Sequence, residues 1–284
     1  PKTRGKEVSR PVREIIDEAS ALVDDGVREI TLLGQTVNSY GKRLAKGRKI
    51  GLHPVLYELH KIDGLERISF ITSHPKFMFP ELIEAMGTLE KVSNYLHLPV
   101  QSGSDAVLQR MLRTYTAEHY RDVIAVCREA NPDLGLATDI IVGFCGEQET
   151  QFEHSLKLVK DLRFDQVHVA AFSPRHGTVA AGWVDDIPHA EKLRRLHSIE
   201  HTQTAIAEEL NRLYVGTTHE VLIEELTQGK GDRMEPRWRG RTRTNKLVFI
   251  PPSVQTSPGE TQHVTILSAT PWSLRGTAHA VTTT

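Results

Sequence analysis

Cysteine is scarce in this sequence: there are two in 284 residues, Cys127 and Cys145, far apart and in different contexts. That excludes a disulfide framework and a metal cage built from cysteines of this chain. Long apolar runs are missing too. None approaches the ~18 residues of a membrane span, and Pro1-Lys2-Thr3-Arg4-Gly5 lacks the pattern of a secretory signal, so a cytoplasmic protein without membrane contact is expected. Net charge is nearly absent, −1 from 35 basic and 36 acidic residues. The chain is therefore not a uniformly basic coat for nucleic acid, and any affinity for phosphate must come from a local patch. A start at Pro1 rather than methionine suggests a missing N-terminal segment.

What is present, 39% hydrophobic and 25% charged residues, suits a globular chain with one large domain and a small one. From Val12 to about Phe172, amphipathic stretches alternate with short β-branched apolar runs, the pattern of βα units around a buried parallel sheet. A first helix opens at Ser9-Arg10-Pro11 and ends at Gly26. Strands are predicted at Val27–Leu33, Arg67–Thr72, Tyr95–Val100, Leu136–Val142 and Gln166–Phe172, half or more of a (β/α) barrel. From Pro188 to about Tyr214 a long helix carries Ile199, Ile206, Leu210 and Leu213 on one face. Beyond Gly216, strands at Glu220–Leu226, Leu247–Ile250, Gln262–Leu267 and Ser273–Ala278, with an arginine-rich one before Asn245, predict a small β-barrel of the OB type.

Ligands of parallel α/β folds bind at the carboxyl ends of the strands. Here those ends read Gly34-Gln35-Thr36-Val37-Asn38, Ser73-His74-Pro75, Gln101-Ser102-Gly103-Ser104, Gly143-Phe144-Cys145-Gly146-Glu147 and Ser173-Pro174-Arg175-His176-Gly177. Each alone is ordinary turn chemistry; five in succession predict a polar site on one face. Between Lys230 and Lys246 lie seven basic residues (Lys230, Arg233, Arg237, Arg239, Arg241, Arg243, Lys246) against Asp232 and Glu235. In a strand, alternate arginines form a row of planar donors suited to phosphates and unpaired bases. The plainer reading is an edge strand protected by charge. His197-Ser198-Ile199-Glu200-His201 has the spacing of a zinc-peptidase helix, but in a charged helix of a histidine-rich chain it reads as coincidence. Cys145 has no recognisable base beside it, and Cys127 reads as a small buried hydrophobe.

Several stretches together resemble a known family. They are Thr3-Arg4-Gly5 with Glu7, Ser9 and Arg10; Leu32-Leu33-Gly34-Gln35 with Val37-Asn38; Thr72-Ser73-His74-Pro75; His97-Leu98-Pro99-Val100-Gln101-Ser102-Gly103-Ser104; Asp139-Ile140-Ile141-Val142-Gly143-Phe144; and Gly240-Arg241-Thr242-Arg243-Thr244-Asn245. In this order they resemble the radical S-adenosylmethionine (SAM) methylthiotransferases, on the branch that modifies isopentenyladenosine beside the anticodon of transfer RNA. Sister branches act on threonylcarbamoyl-adenosine in tRNA or on a ribosomal protein, and a non-catalytic RNA-binding remnant is a further alternative.

The resemblance implies a partial radical SAM barrel over 1–187, a linking helix over 188–215 and an RNA-gripping TRAM domain over 216–284. It implies SAM, two [4Fe-4S] clusters, an electron donor, tRNA as partner and a monomer. Carried over by position, Gly34 and Gln35 would meet the methionine end of SAM, Gln101 and Ser102 its ribose, and Val142 and Gly143 its adenine. Ser73, His74 and Arg175 would face the target base, and Arg237, Arg239, Arg241, Arg243, Asn245 and Lys246 the RNA. The family's CxxxCxxC loop directly precedes the stretch matched at Pro1, so the cluster cysteines are expected upstream and the fragment alone is expected to be inactive. Cys145 replaces the family's proline, which is expected to loosen that turn.

Overall fold

A computed structural model describes residues 8–41, 51–228 and 235–278. Thr3, Arg4, Gly5, Glu7, Lys230, Asp232 and Arg233 of the motifs above lie outside them. Helix α1 (Val12–Asp24) follows Pro11 and stops before Gly26, whose φ of 96° suits glycine. Strands β1 (Glu29–Leu32), β2 (Arg67–Phe70), β3 (Tyr95–His97), β4 (Gly135–Val142) and β5 (Gln166–Ala171) stand at the five apolar runs. β1 pairs with β2, β3 with β4, and β4 with β5, all parallel. A bridge from Ile68 to Val92, and the Ser73 N–H donated to the His97 carbonyl at 3.3 Å, join the two sheets into one arc.

Period-two alternation divides each strand between two environments. In β4, Leu136, Ile140 and Val142 are wholly buried, while Asp139 and Ile141 are half-exposed on the opposite, concave face. Helices α2 (His53–His60), α3 (Pro80–Thr88), α4 (Asp105–Arg110), α5 (Ala117–Ala130) and α6 (Glu149–Leu162) place Leu56, Leu59, Leu82, Leu108, Ile124 and Leu158 in one core with Ile68, Phe70 and Leu96 of the strands.

The long helix α7 (His189–Arg212) stands where the linking helix was expected. It packs on β5 and α6, puts Ile199 and Ile206 into the same core, and donates from Gln203 Nε2 to the Phe164 carbonyl at 2.9 Å. It is the barrel's last helix, and it also touches the following domain through β9 (Thr261–Ala269). Leu213, expected on its apolar face, lies past the helix end and is exposed.

The C-terminal strands β6 (Thr218–Thr227), β7 (Arg237–Thr242), β8 (Leu247–Ile250), β9 and β10 (Leu274–Ala278) close into a barrel in the order β10-β8-β7-β6-β9. Val221, Ile223, Val248, Ile250, Val264, Ile266 and Leu274 fill it. A Cβ on Gly240 would lie 2.5 Å from the Leu222 carbonyl oxygen, which is why this tight barrel needs glycine there. Because β7 is flanked by β6 and β8, it is not an edge strand, and charge protection of an edge does not account for its arginines.

The turn between β7 and β8 seats this barrel on the floor of the large one, at the amino ends of its strands. Arg67, 2% exposed, donates to the carbonyls of Arg241 (3.0 Å) and Thr242 (3.3 Å). Ser93 Oγ donates to the Arg243 carbonyl at 2.6 Å, Arg243 donates to the carbonyls of Val92 (2.9 Å) and Glu90, and Lys246 pairs with Asp165 at 2.5 Å. Gly135 lets the Thr244 carbonyl approach where a Cβ would come within 2.6 Å of it.

Candidate active site and nucleic-acid interface

The concave face of the arc is polar at mid-height. Register pairs His97 with Ala137 and Asp139 with His168, which brings His97, Asp139 and His168 together from three adjacent strands. His97 Nε2 lies 2.8 Å from Asp139 Oδ1, and the His168 ring meets His97 edge-on at 5.8 Å. Their ligand atoms fall within 4.8 Å of one another, close enough to consider a metal ion. The hydrogen bonds favour another use. The Thr72 N–H donates to His97 Nδ1 at 3.4 Å, which leaves the ring proton on Nε2, donated to Asp139, rather than a lone pair aimed at an ion. The set forms a hydrogen-bonding wall for a polar organic ligand. Sequence reading missed it, although an aspartate inside the apolar run Ile140-Ile141-Val142 and a histidine between Val167 and Val169 were the available signal.

Above this wall, at the carboxyl ends of the strands, Thr72 and Gln101 hold left-handed backbones at φ 63° and 73°. Such conformations cost about 1–3 kcal/mol each for residues other than glycine and cluster at ligand sites. Thr72 is held by its hydroxyl, which donates to the Gly34 carbonyl at 2.5 Å. Gln101 is held between strands, its N–H on the Asp139 carbonyl (2.8 Å) and its carbonyl on the Ile141 N–H (2.9 Å).

The residues expected around SAM divide into two groups. Gly34 and Gln35 are exposed at the mouth, and Gln101 reaches it through its strained backbone. Ser102 and Val142 are wholly buried; the Ser102 hydroxyl lies 3.3 Å from Ser155 Oγ and accepts the Ser104 N–H at 3.2 Å. Gly143, at φ 67°, lies under Lys192, whose Cγ would sit 2.4 Å from an added Cβ. These three shape the mouth from behind.

On the side expected for the target base, Asn38 clamps His74: its Nδ2 donates to the His74 carbonyl at 3.0 Å and its Oδ1 accepts the His74 N–H at 2.9 Å. The His74 ring touches Phe77 and Tyr115. Burial, reinforced by Arg113 and Lys76, lowers its pKa to about 4, so the ring is neutral at pH 7. Ser73 is buried with its hydroxyl unpaired among the described residues, and Arg175 is exposed on the loop after β5.

The loop with Cys145 is tighter than expected. The Gly143 N–H donates to Glu147 Oε2 at 2.6 Å, the Gly146 N–H to Asp186 Oδ1 at 2.6 Å, and Arg195 of α7 holds Glu147 through its carboxylate and its carbonyl, both at 2.9 Å. Cys145 is buried, and burial with nearby Asp185 raises its pKa; burial pushes the Cys127 thiol up to about 12. Neither thiol is ionised at neutral pH, and the two sit on separate elements. His197 and His201 stand exposed on α7.

The arginine row exists, with Arg237, Arg239 and Arg241 half-exposed on the outer face of β7. It is not free. Arg239 pairs with Glu224 (3.0 Å) and Glu225 (2.9 Å), and Arg241 pairs with Glu224 (2.9 Å). Arg243 and Lys246 hold the barrel floor. Asn245, at φ 63°, closes the turn, and its carbonyl accepts from Arg241 at 3.2 Å.

Residues 1–159 match the Radical SAM superfamily, and residues 212–279 match the TRAM domain. Over 276 residues the chain is 45% identical to the tRNA-2-methylthio-N(6)-dimethylallyladenosine synthase of Dehalococcoides mccartyi, covering 97% of this chain and 64% of that protein. Against the protein of the same name from Aquifex aeolicus the identity is 43%, covering 97% of this chain and 60% of that one. The chain thus spans less than two thirds of the length of these relatives. Among solved structures, coproporphyrinogen III oxidase from Escherichia coli, described as a radical SAM enzyme, superposes with a TM-score of 0.51 at 15% identity, over 84% of this chain and 62% of that one, a likeness of fold.

Proposed function

The chain belongs to the radical SAM superfamily, and from that premise we propose that it is the SAM-binding and RNA-binding part of an enzyme that methylthiolates C2 of N6-dimethylallyladenosine in transfer RNA. The observation that carries this reading is 45% identity to a synthase of that name across both domains in the same order. The open polar mouth on one domain and a TRAM barrel on the other agree with it.

SAM, when bound, supplies the carbon radical that starts the reaction. The exposed Gly34-Gln35 stretch fits a polar ligand at the mouth. Asp139 and His97 present an acceptor and an oriented ring to whatever enters the concave face, and Asn38 fixes His74 at the rim. Iron-sulfur clusters do not fit the residues described. Thiolates hold such clusters, and Cys127 and Cys145 are buried, protonated and apart. A cytoplasmic, monomeric protein served by a separate electron donor is part of the same reading. No helix among the described residues is long and apolar enough to cross a membrane.

The test is the nucleoside content of tRNA from a strain lacking the gene. Dimethylallyladenosine should accumulate without its methylthio group, and the complete gene should restore it. An unaltered nucleoside profile would overturn the proposal.

A further inference from the structure

With the arginine row of β7 largely paired inside the protein, the small barrel needs another means of gripping RNA, and its most exposed aromatic side chain supplies one. Trp272, between β9 and β10, is 64% exposed, whereas Trp238 packs on the barrel core and donates its Nε1–H to the Val254 carbonyl at 3.0 Å. Single exposed apolar residues are common on any surface. What sets this indole apart is how firmly its loop is held. The Thr270 N–H donates to the Ser273 carbonyl (2.8 Å), and the Ser273 and Trp272 N–H groups donate to Thr270 Oγ1 (3.0 and 3.3 Å). Asn211, 3% exposed at the end of α7, donates Nδ2 to the carbonyls of Thr270 (2.8 Å) and Pro271 (3.2 Å). The loop is fixed from both barrels while its largest side chain stays in solvent, so little ordering entropy is left to lose when a ring stacks on it.

Beside the indole opens a cleft of about 280 Å³, walled by Trp272, Asn245 and Arg241 of the small barrel and by Tyr95 and Gln166 at the floor of the large one. It is small and rich in hydrogen-bonding groups, which suits one planar base better than a whole nucleotide or an apolar peptide. Three residues on, Arg275 is exposed on β10 and has no carboxylate partner among the described residues. An indole, a polar slot and an unpaired guanidinium are the parts of a single-strand RNA subsite, in which the ring stacks a base and the cation meets its phosphate.

We propose that Trp272 is a stacking platform for an unpaired RNA base, with the adjoining cleft as its slot and Arg275 as its phosphate contact. The proposal rests on the reading of this chain as part of a tRNA enzyme, and the measurement separates the two. Binding of a fluorescein-labelled anticodon stem–loop RNA to the 284-residue chain is followed by anisotropy across a salt series. Trp272→Ala should raise Kd about tenfold at every salt concentration without changing the slope of log Kd against log salt, because stacking releases no counterions. Trp272→Phe should keep most of the affinity. Arg275→Ala should lower the slope by about one. Since the loop is held through Thr270, Ser273 and Asn211, thermal unfolding of Trp272→Ala should match the unmodified chain. Affinity unchanged by Trp272→Ala, or a loss that appears only as a change of slope, overturns the subsite while leaving the RNA reading intact. Failure of the unmodified chain to bind the RNA overturns both.

Discussion

His74 shows how one side chain can tie the site to pH. Burial first, then Arg113 and Lys76, lowers its pKa from 6.5 to about 4. The folded protein therefore prefers the neutral ring, while the unfolded chain takes up its proton near 6.5. The contribution is fully present above pH 6.5 and is lost as pH falls toward 4. Urea midpoints should drop over that window, and the drop should be smaller in His74→Gln. Equal pH dependence in the two proteins would place the titration elsewhere. The residue types at the strand ends were readable from sequence, but their directions were not. Ser102 and Gln101 are neighbours in one motif, yet the Ser102 hydroxyl turns inward to Ser155 while Gln101 adopts a left-handed backbone. That choice depends on packing against α6, which no local pattern encodes.

Among the elements, α7 carries an energetic role that its charged composition conceals. Arg195 is one of its few wholly packed cations and, among the described residues, the sole ion-pair partner of Glu147, with side chains 5% and 0% exposed. Arg195→Ala should cost about 3–5 kcal/mol, because it strands a buried carboxylate. The double variant Arg195→Met/Glu147→Gln should recover much of that loss in urea titrations. A cost under about 1 kcal/mol for the single variant would show that water replaces the arginine. The five barrel strands and the small β-barrel were legible because β-branched runs broken by turn residues have few other folds. α7 was legible as a helix between the barrels, but the depth of its packing was not, because its apolar stripe is thin, with Ile199 and Ile206 set among Lys192, Arg195 and Gln203, all of which are also buried. The arginine row was read correctly as a row. Its partners were not, since Glu224 meets Arg239 and Arg241 only through the β6–β7 register and its shift between Ile223 and Glu225.

At the scale of the molecule, the two barrels share a floor made by the turn 243–245, Arg67, Ser93 and Asp165. Calorimetry on the unmodified chain should show one unfolding transition. Arg67→Ala combined with Ser93→Ala should split it, the small barrel and the large one melting apart, because the main-chain carbonyls of Arg241, Thr242 and Arg243 lose their donors. A single transition at the same Tm would refute the coupling.

That shared floor also sets a timetable for the nascent chain. The bond from Arg67 to the Thr242 carbonyl spans 175 positions. At roughly 5–20 residues per second, the guanidinium waits on the order of ten to thirty seconds in water, at the open base of a half-built arc, before its acceptors leave the ribosome. Docking of the β7–β8 turn then gives Arg67 and Ser93 their carbonyl acceptors.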